Sequence, residues 1–202
     1  MAKAPGSCAS LEVLPIGHPE RPSLERLISD TYQHTYGAHI QHFAQNLVGL
    51  RRRDRSWSAG MGYTLAGNDA LFLEQYLDRP AEAEITARMR LPVPREQLVE
   101  VGNLAAFGTA SPCTARYLII SMARLLQGLG RPWVVFTSTQ SLRNSFARLG
   151  VDPIVLAHAD PRRLPDQGLS WGTYYDNYPQ VMTANIHLGL AQLSATTPGQ
   201  PT

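Results

Sequence analysis

At 202 residues the chain is long enough for one full-sized domain with a sizeable core, and 44% apolar against 17% charged residues exclude a disordered chain. A net charge of +2 is too small to argue for nucleic acid as a partner. No window approaches the roughly 18–20 apolar residues that cross a bilayer, so no transmembrane segment is expected.

Residues 1–10 read as a loose leader without the apolar stretch of a signal peptide, and 195–202 as a loose tail around a single domain at 11–194. Leu11–Ile16 reads as a first strand. Pro22 and Ser23 open a helix with Leu24, Leu27, Ile28, Thr31 and Thr35 at helical spacing, and Gly37 suits its stop. Leu47–Arg51 and Ser58–Leu65 form a hairpin. The arginines between them, Arg51 to Arg55, are either a solvated tip or a phosphate-binding patch. Ala70–Tyr76 reads as a further strand, and 80–96, with three prolines, as connection with one short helix or strand. Gln97–Ala105 is the next strand. Ser111 and Pro112 then start a long amphipathic helix whose apolar face is Leu118, Ile119, Met122, Leu125, Leu126 and Leu129. Trp133–Phe136 has the continuous apolar character of a doubly buried strand. Thr137–Gln140 leads to a helix faced by Leu142, Phe146 and Leu149, and Ile154–Ala157 is another strand. Met182, Ala184, Ile186, Leu188 and Leu190 alternate with polar residues, a period-two strand pattern. The order predicts an α/β fold: an antiparallel N-terminal meander, a parallel strand–helix–strand unit, and helices on both faces of one mixed sheet.

Glu100 is the most telling residue. It lies inside an apolar strand, where a carboxylate is costly unless it is paired or working. The strand runs into a helix N-terminus, a ready site for an anionic group. Glu100 is therefore a candidate general base, with a structural pairing to Arg143 as the alternative. The two cysteines, Cys8 and Cys113, and the six histidines show neither a disulfide framework nor metal spacing. A reducing cytoplasm is the expected compartment. No Gly-x-Ser-x-Gly elbow is present.

The strand–helix order resembles the GNAT-type acyltransferase fold. In pattern the chain is similar to the acyl-homoserine lactone synthases, which carry a glutamate before the long helix in a segment Glu-x-Ser/Thr-Arg. Here the stretch is Glu100-Val101-Gly102-Asn103, so the glutamate is kept and Asn103 replaces the arginine. More closely, the chain resembles the bacterial thermostable hemolysin family in five ordered blocks. These are Tyr36–Ala38, Phe72–Asp78, Val99–Ala105, Phe136–Thr139 with Leu142–Phe146, and Trp171–Tyr175. One departure stands out. CoA-binding GNAT enzymes carry Arg/Gln-x-x-Gly-x-Gly/Ala before the long helix, whereas this loop is Phe107-Gly108-Thr109-Ala110-Ser111-Pro112. Either the donor is a carrier-protein thioester, or CoA is held differently, or no thioester binds.

The resemblance implies an acyltransferase that takes a fatty acyl group from an acyl-CoA or acyl-carrier-protein thioester, with no tightly bound cofactor, to a small amine acceptor. The alternatives are a membrane-active lytic protein, as the family name suggests, and a non-catalytic binding module on the same fold. Glu100 and Asn103 are the catalytic candidates, Asn103 either donating to a substrate carbonyl or closing a turn. Glu74, on a strand next to that of Glu100, would bind the acceptor's ammonium, with Gln75 beside it. Thr137 and Ser138 stand where ligands collect at strand ends, or cap the next helix. Arg143 and Asn144, in the first turn of that helix, would meet an anionic partner. Tyr36 and Trp171 either line the acceptor cleft or simply pack.

Overall fold

A computed structural model describes residues 10–107, 112–148 and 150–195. Seven strands form one sheet in the order β1-β2-β3-β4-β5-β7-β6. They are β1 (Ser10–Pro15), β2 (Asn46–Arg51), β3 (Trp57–Leu65), β4 (Leu98–Ala106), β5 (Trp133–Ser138), β6 (Ile154–His158) and β7 (Gln180–Asn185). The N-terminal strands β1 to β4 form the antiparallel meander. The pair β4–β5 is parallel, as its helical crossover requires, and β7 lies antiparallel between β5 and β6.

Among the described residues five helices cover the sheet: α1 (Arg21–Tyr36), α2 (Ala81–Met89), α3 (Pro112–Gly128), α4 (Gln140–Arg148) and α5 (Ile186–Ala195). Alternation along β4 divides the core. Leu98 points to a face packed with Leu73, Tyr76, Ile85, Trp133 and Val135, while Val99 points to the face of α3, with Leu118, Met122 and Leu126. Helix α1 buries Leu24 and Ile28 against Leu47, Trp57 and Ala105, and Gly37 closes it in the left-handed conformation at φ 68°. The arginine-rich hairpin is tied into the fold: Arg51 is buried, bonds Glu12 and Glu20, and lies over the Trp57 ring.

Two expected strands differ. Ala70–Tyr76 contains a 3-10 turn at Phe72–Tyr76. Its amides are claimed by carboxylates: Leu71 donates to Glu74, while Phe72 and Leu73 donate to Glu100. Donors spent in that way cannot join a sheet ladder. The alternating run ends as a strand at Asn185, whose Oδ1 accepts from the Leu188 amide and caps α5. Leu188 then faces solvent, while Ile186 is buried. Between 80 and 96 the chain forms the short helix α2 and a 3-10 turn. Leu149, the loop 108–111, and most of the expected leader and tail lie outside the described residues.

Candidate acyl-transfer site

The β4–β5 ladder runs only from Leu98↔Trp133 to Val101↔Phe136, although β4 continues to Ala106 and β5 to Ser138. Beyond Val101 the two strands part. A bulge helps: β3 steps from Gly60 to Gly62 while β4 steps from Ala105 back to Gly102. The extra residue is accommodated at Asn103, which takes a left-handed φ of 53°. Asparagine tolerates that conformation better than most residues.

A cavity of about 960 Å³ opens at this fork. On the α3 side its wall is apolar: Met61, Ile119, Met122, Leu126, Phe136 and Phe146 contribute. On the other side it is aromatic and polar. Tyr36 and Tyr174 meet edge to face at 5.3 Å, Trp171 lies 5.2 Å from Tyr174, and Phe72 lies 6.0 Å from Trp171. Tyr32 stacks on Tyr174 and Tyr76 shares a 2.6 Å hydroxyl contact with Tyr175. Burial pushes these phenols well up, so they stay neutral.

Glu100 lines the cavity beside the Phe72–Tyr76 turn. Its Oε2 accepts from Phe72 N at 2.7 Å and its Oε1 from Leu73 N at 3.0 Å. Burial lifts its pKa to about 7, against the pull of those two amides, with a smaller push from Glu74. Among the described residues no arginine pairs with it. Arg143 instead donates to the carbonyls of Ser138 and Tyr178 and to Gln140 Oε1, tying the start of α4 to the end of β5.

The other expected site residues divide clearly. Glu100, Asn103, Gln75, Tyr36, Thr137 and Trp171 all line the cavity. Asn103 works as a tether: its Oδ1 accepts from Ala44 N and its Nδ2 donates to His42 O, holding loop 38–45 against β4. Glu74 is turned away from the wall. It bonds Arg95 at 2.7 Å and accepts from the amides of Leu71 and Ala81. Burial alone would raise its pKa, but Arg95 and the amides hold it below the usual carboxylate range. Ser138 is buried beneath the strand end, and Asn144 accepts from Gln140. Neither reaches the cavity wall.

Several wall residues are not singled out by the sequence. Tyr32 is one helical turn from Tyr36, a spacing that carries the signal. His39, His42 and Asp166 come from irregular connections, where no periodicity marks them.

The family model for thermostable hemolysin matches residues 15–190. No curated protein sequence matches the chain. Solved structures superimpose over nearly the whole length. FeeM, an N-acyl amino acid synthase from uncultured soil microbes, is 16% identical with a TM-score of 0.62, covering 94% of this chain and 96% of its own. The acyl-homoserine lactone synthase LasI is 10% identical with a TM-score of 0.63, covering 98% and 100%. MesI, a CoA-dependent acyl-homoserine lactone synthase, is 14% identical with a TM-score of 0.58, covering 95% and 97%. At such identities the likeness is one of fold, and the fold is the GNAT-like one expected from the strand order. Because the family model spans most of its length, the chain belongs to the thermostable hemolysin family.

Proposed function

We propose that this protein is an N-acyltransferase that moves a fatty acyl group from a thioester, on coenzyme A or an acyl-carrier protein, to an amine. The observation that carries the reading is Glu100: a buried carboxyl with a pKa of about 7 on the wall of a cavity with one apolar and one aromatic side. A group titrating near the working pH can accept a proton and return it. In the apolar half the side chains of α3 and of Phe136 and Phe146 suit an acyl chain. The acceptor enters the aromatic half. Its neutral nitrogen attacks the thioester carbonyl, Glu100 takes the nitrogen's proton directly or through a water, and the C–S bond breaks. The proton then passes to the departing thiolate. Backbone groups of β4 beyond Val101, released from the ladder with β5, stand ready to donate to the developing oxyanion. The likeness in fold to acyl-homoserine lactone and N-acyl amino acid synthases supports the reading.

An acylated amine is an amphiphile, and this offers an account of the family's lytic name: the lipid product lyses cells. Among the described residues no helix is long and apolar enough to cross a membrane. The test is comparative mass spectrometry of lipid extracts from a host expressing the wild type or Glu100→Gln. A new acylated amine found only with the wild type supports the reading. No such product, from soluble folded protein in a host fed varied fatty acids, overturns it.

A further inference from the structure

The charges around the cavity restrict the acceptor. Its wall carries two carboxylates, Glu100 and Asp166, and among the described residues no arginine or lysine. Outside the described residues the sequence holds one further cation, Lys3, since 108–111, 149 and 196–202 contain neither Lys nor Arg. Three arginines on nearby elements are committed elsewhere, and Arg131, whose buried Nη1 has no hydrogen-bond partner among the described residues, is not on the wall. Arg95 binds Glu74 and Glu82, Arg143 binds carbonyls, and Arg163 binds Asp78 and the Leu77 carbonyl. His39 and His42 supply the wall's basic side chains. The His42 ring lies against Phe72, at 6.3 Å between centroids.

Asp166 is held in place and ionised. Its Oδ1 accepts from Gly168 N at 3.0 Å and its Oδ2 from Ser170 N at 2.9 Å. These bonds keep its carboxyl below the usual range. The rings of Tyr32, Tyr36, Phe72, Trp171 and Tyr174 line the same cavity as the two carboxylates. Ring faces and carboxylates both attract an ammonium group. An acceptor carboxylate would lose its water here, meet the Asp166 charge and the ionised form of Glu100, and find no arginine or lysine on the described wall.

Building on the acyl-transfer reading, we infer that the acceptor is a primary amine with an aromatic or apolar body and no carboxylate, so that free α-amino acids are rejected. The transfer forms the N–C bond and breaks the C–S bond, with the amine's proton carried by Glu100 to the thiolate.

Purified full-length protein tests this with two matched pairs, tyramine against tyrosine and phenethylamine against phenylalanine. Decanoyl and palmitoyl donors are supplied both on coenzyme A and on acyl-carrier protein, and products are followed by mass spectrometry. The amine of each pair should exceed its amino acid in kcat/KM by at least about tenfold. Gln75→Arg, which adds a cation to the wall, should narrow or reverse that preference. Equal or better use of the amino acids overturns the inference and leaves acyl transfer standing. No acylation of any of the four by any thioester counts against transfer to amines itself, and the inference falls with it.

Discussion

At the scale of single residues, Glu100 has consequences for both activity and stability. Replacing it with Gln removes the proposed proton acceptor and should cut acyl transfer by about 10²–10⁴-fold. Wild-type activity should rise with pH through about 7, as the carboxylate forms. The same titration sets a slope in stability. Its folded pKa, about 7, lies above the ordinary 4.5, so between those values the folded chain holds a proton that the unfolded chain has released. This contribution is complete below the ordinary value and is lost as pH rises through the folded one, by about 3 kcal/mol. Urea melts of the wild type and Glu100→Gln at either end of that window should differ by that shift, with the variant gaining on the wild type as pH rises. This residue was legible in the sequence because a carboxylate inside an apolar strand is rare. Its partners were not, since the amides of Phe72 and Leu73 carry no signature of what they bind.

At the scale of elements, the 3-10 turn Phe72–Tyr76 is the piece that sequence patterning misread, and it holds the site together. Its apolar run, Leu71 to Leu73 with Tyr76 and Leu77, resembles a buried strand because both structures bury their side chains. What decides between them is the fate of the backbone donors. Glu74 and Glu100 take three of them, and Glu74 also reaches Ala81 N and Arg95. Glu74→Ala removes one of the two carboxylates that Arg95 binds and frees the turn, so it should destabilise the fold by about 1–2 kcal/mol in denaturant melts. It should also loosen the Phe72 and Leu73 amides from Glu100. Those bonds hold its pKa down and outweigh the push of Glu74's own charge, which the variant also removes, so the activity profile should move to higher pH. A purely structural role for Glu74 would lower stability and leave the profile in place. The other misreading, the end of β7, has a similar cause. Ile186, Leu188 and Leu190 happen to alternate, but Asn185 caps a helix there and Leu188 turns outward.

At the scale of the whole molecule, the sheet order was readable from hydrophobic runs, Gly and Pro stops and one parallel crossover. The cavity was only half readable. Strand and helix periodicity marks its apolar half on α3, β5 and α4, whereas its aromatic half joins Tyr32 and Tyr36 of α1 to Phe72, Trp171 and Tyr174 from connections that no period describes. If an acylated amine is the lytic agent, boiled solvent extracts of expressing cells should lyse red cells, and lipid-free purified protein should not. Lysis by the pure protein would separate the family name from the chemistry proposed for it. The aromatic half closes along a seam between the end of α1 and the segment at 170–173. Tyr36 O accepts from Thr173 N at 2.8 Å, and His39 N donates to Ser170 O at 2.7 Å. Gly172 makes the approach possible: a Cβ there would stand 2.1 Å from Tyr36 O, and its φ is 52°. Gly172→Ala should therefore cost about 2–4 kcal/mol. Tyr36 and Thr173 are 137 positions apart, so chain entropy opposes their meeting until most of the sheet exists. A seam of so few bonds also opens before the sheet melts. The amides of His39 and Thr173 should exchange with solvent deuterium together, and sooner than those of β3. On warming, the acceptor's chamber would come apart first, and catalysis would stop while the protein still scored as folded.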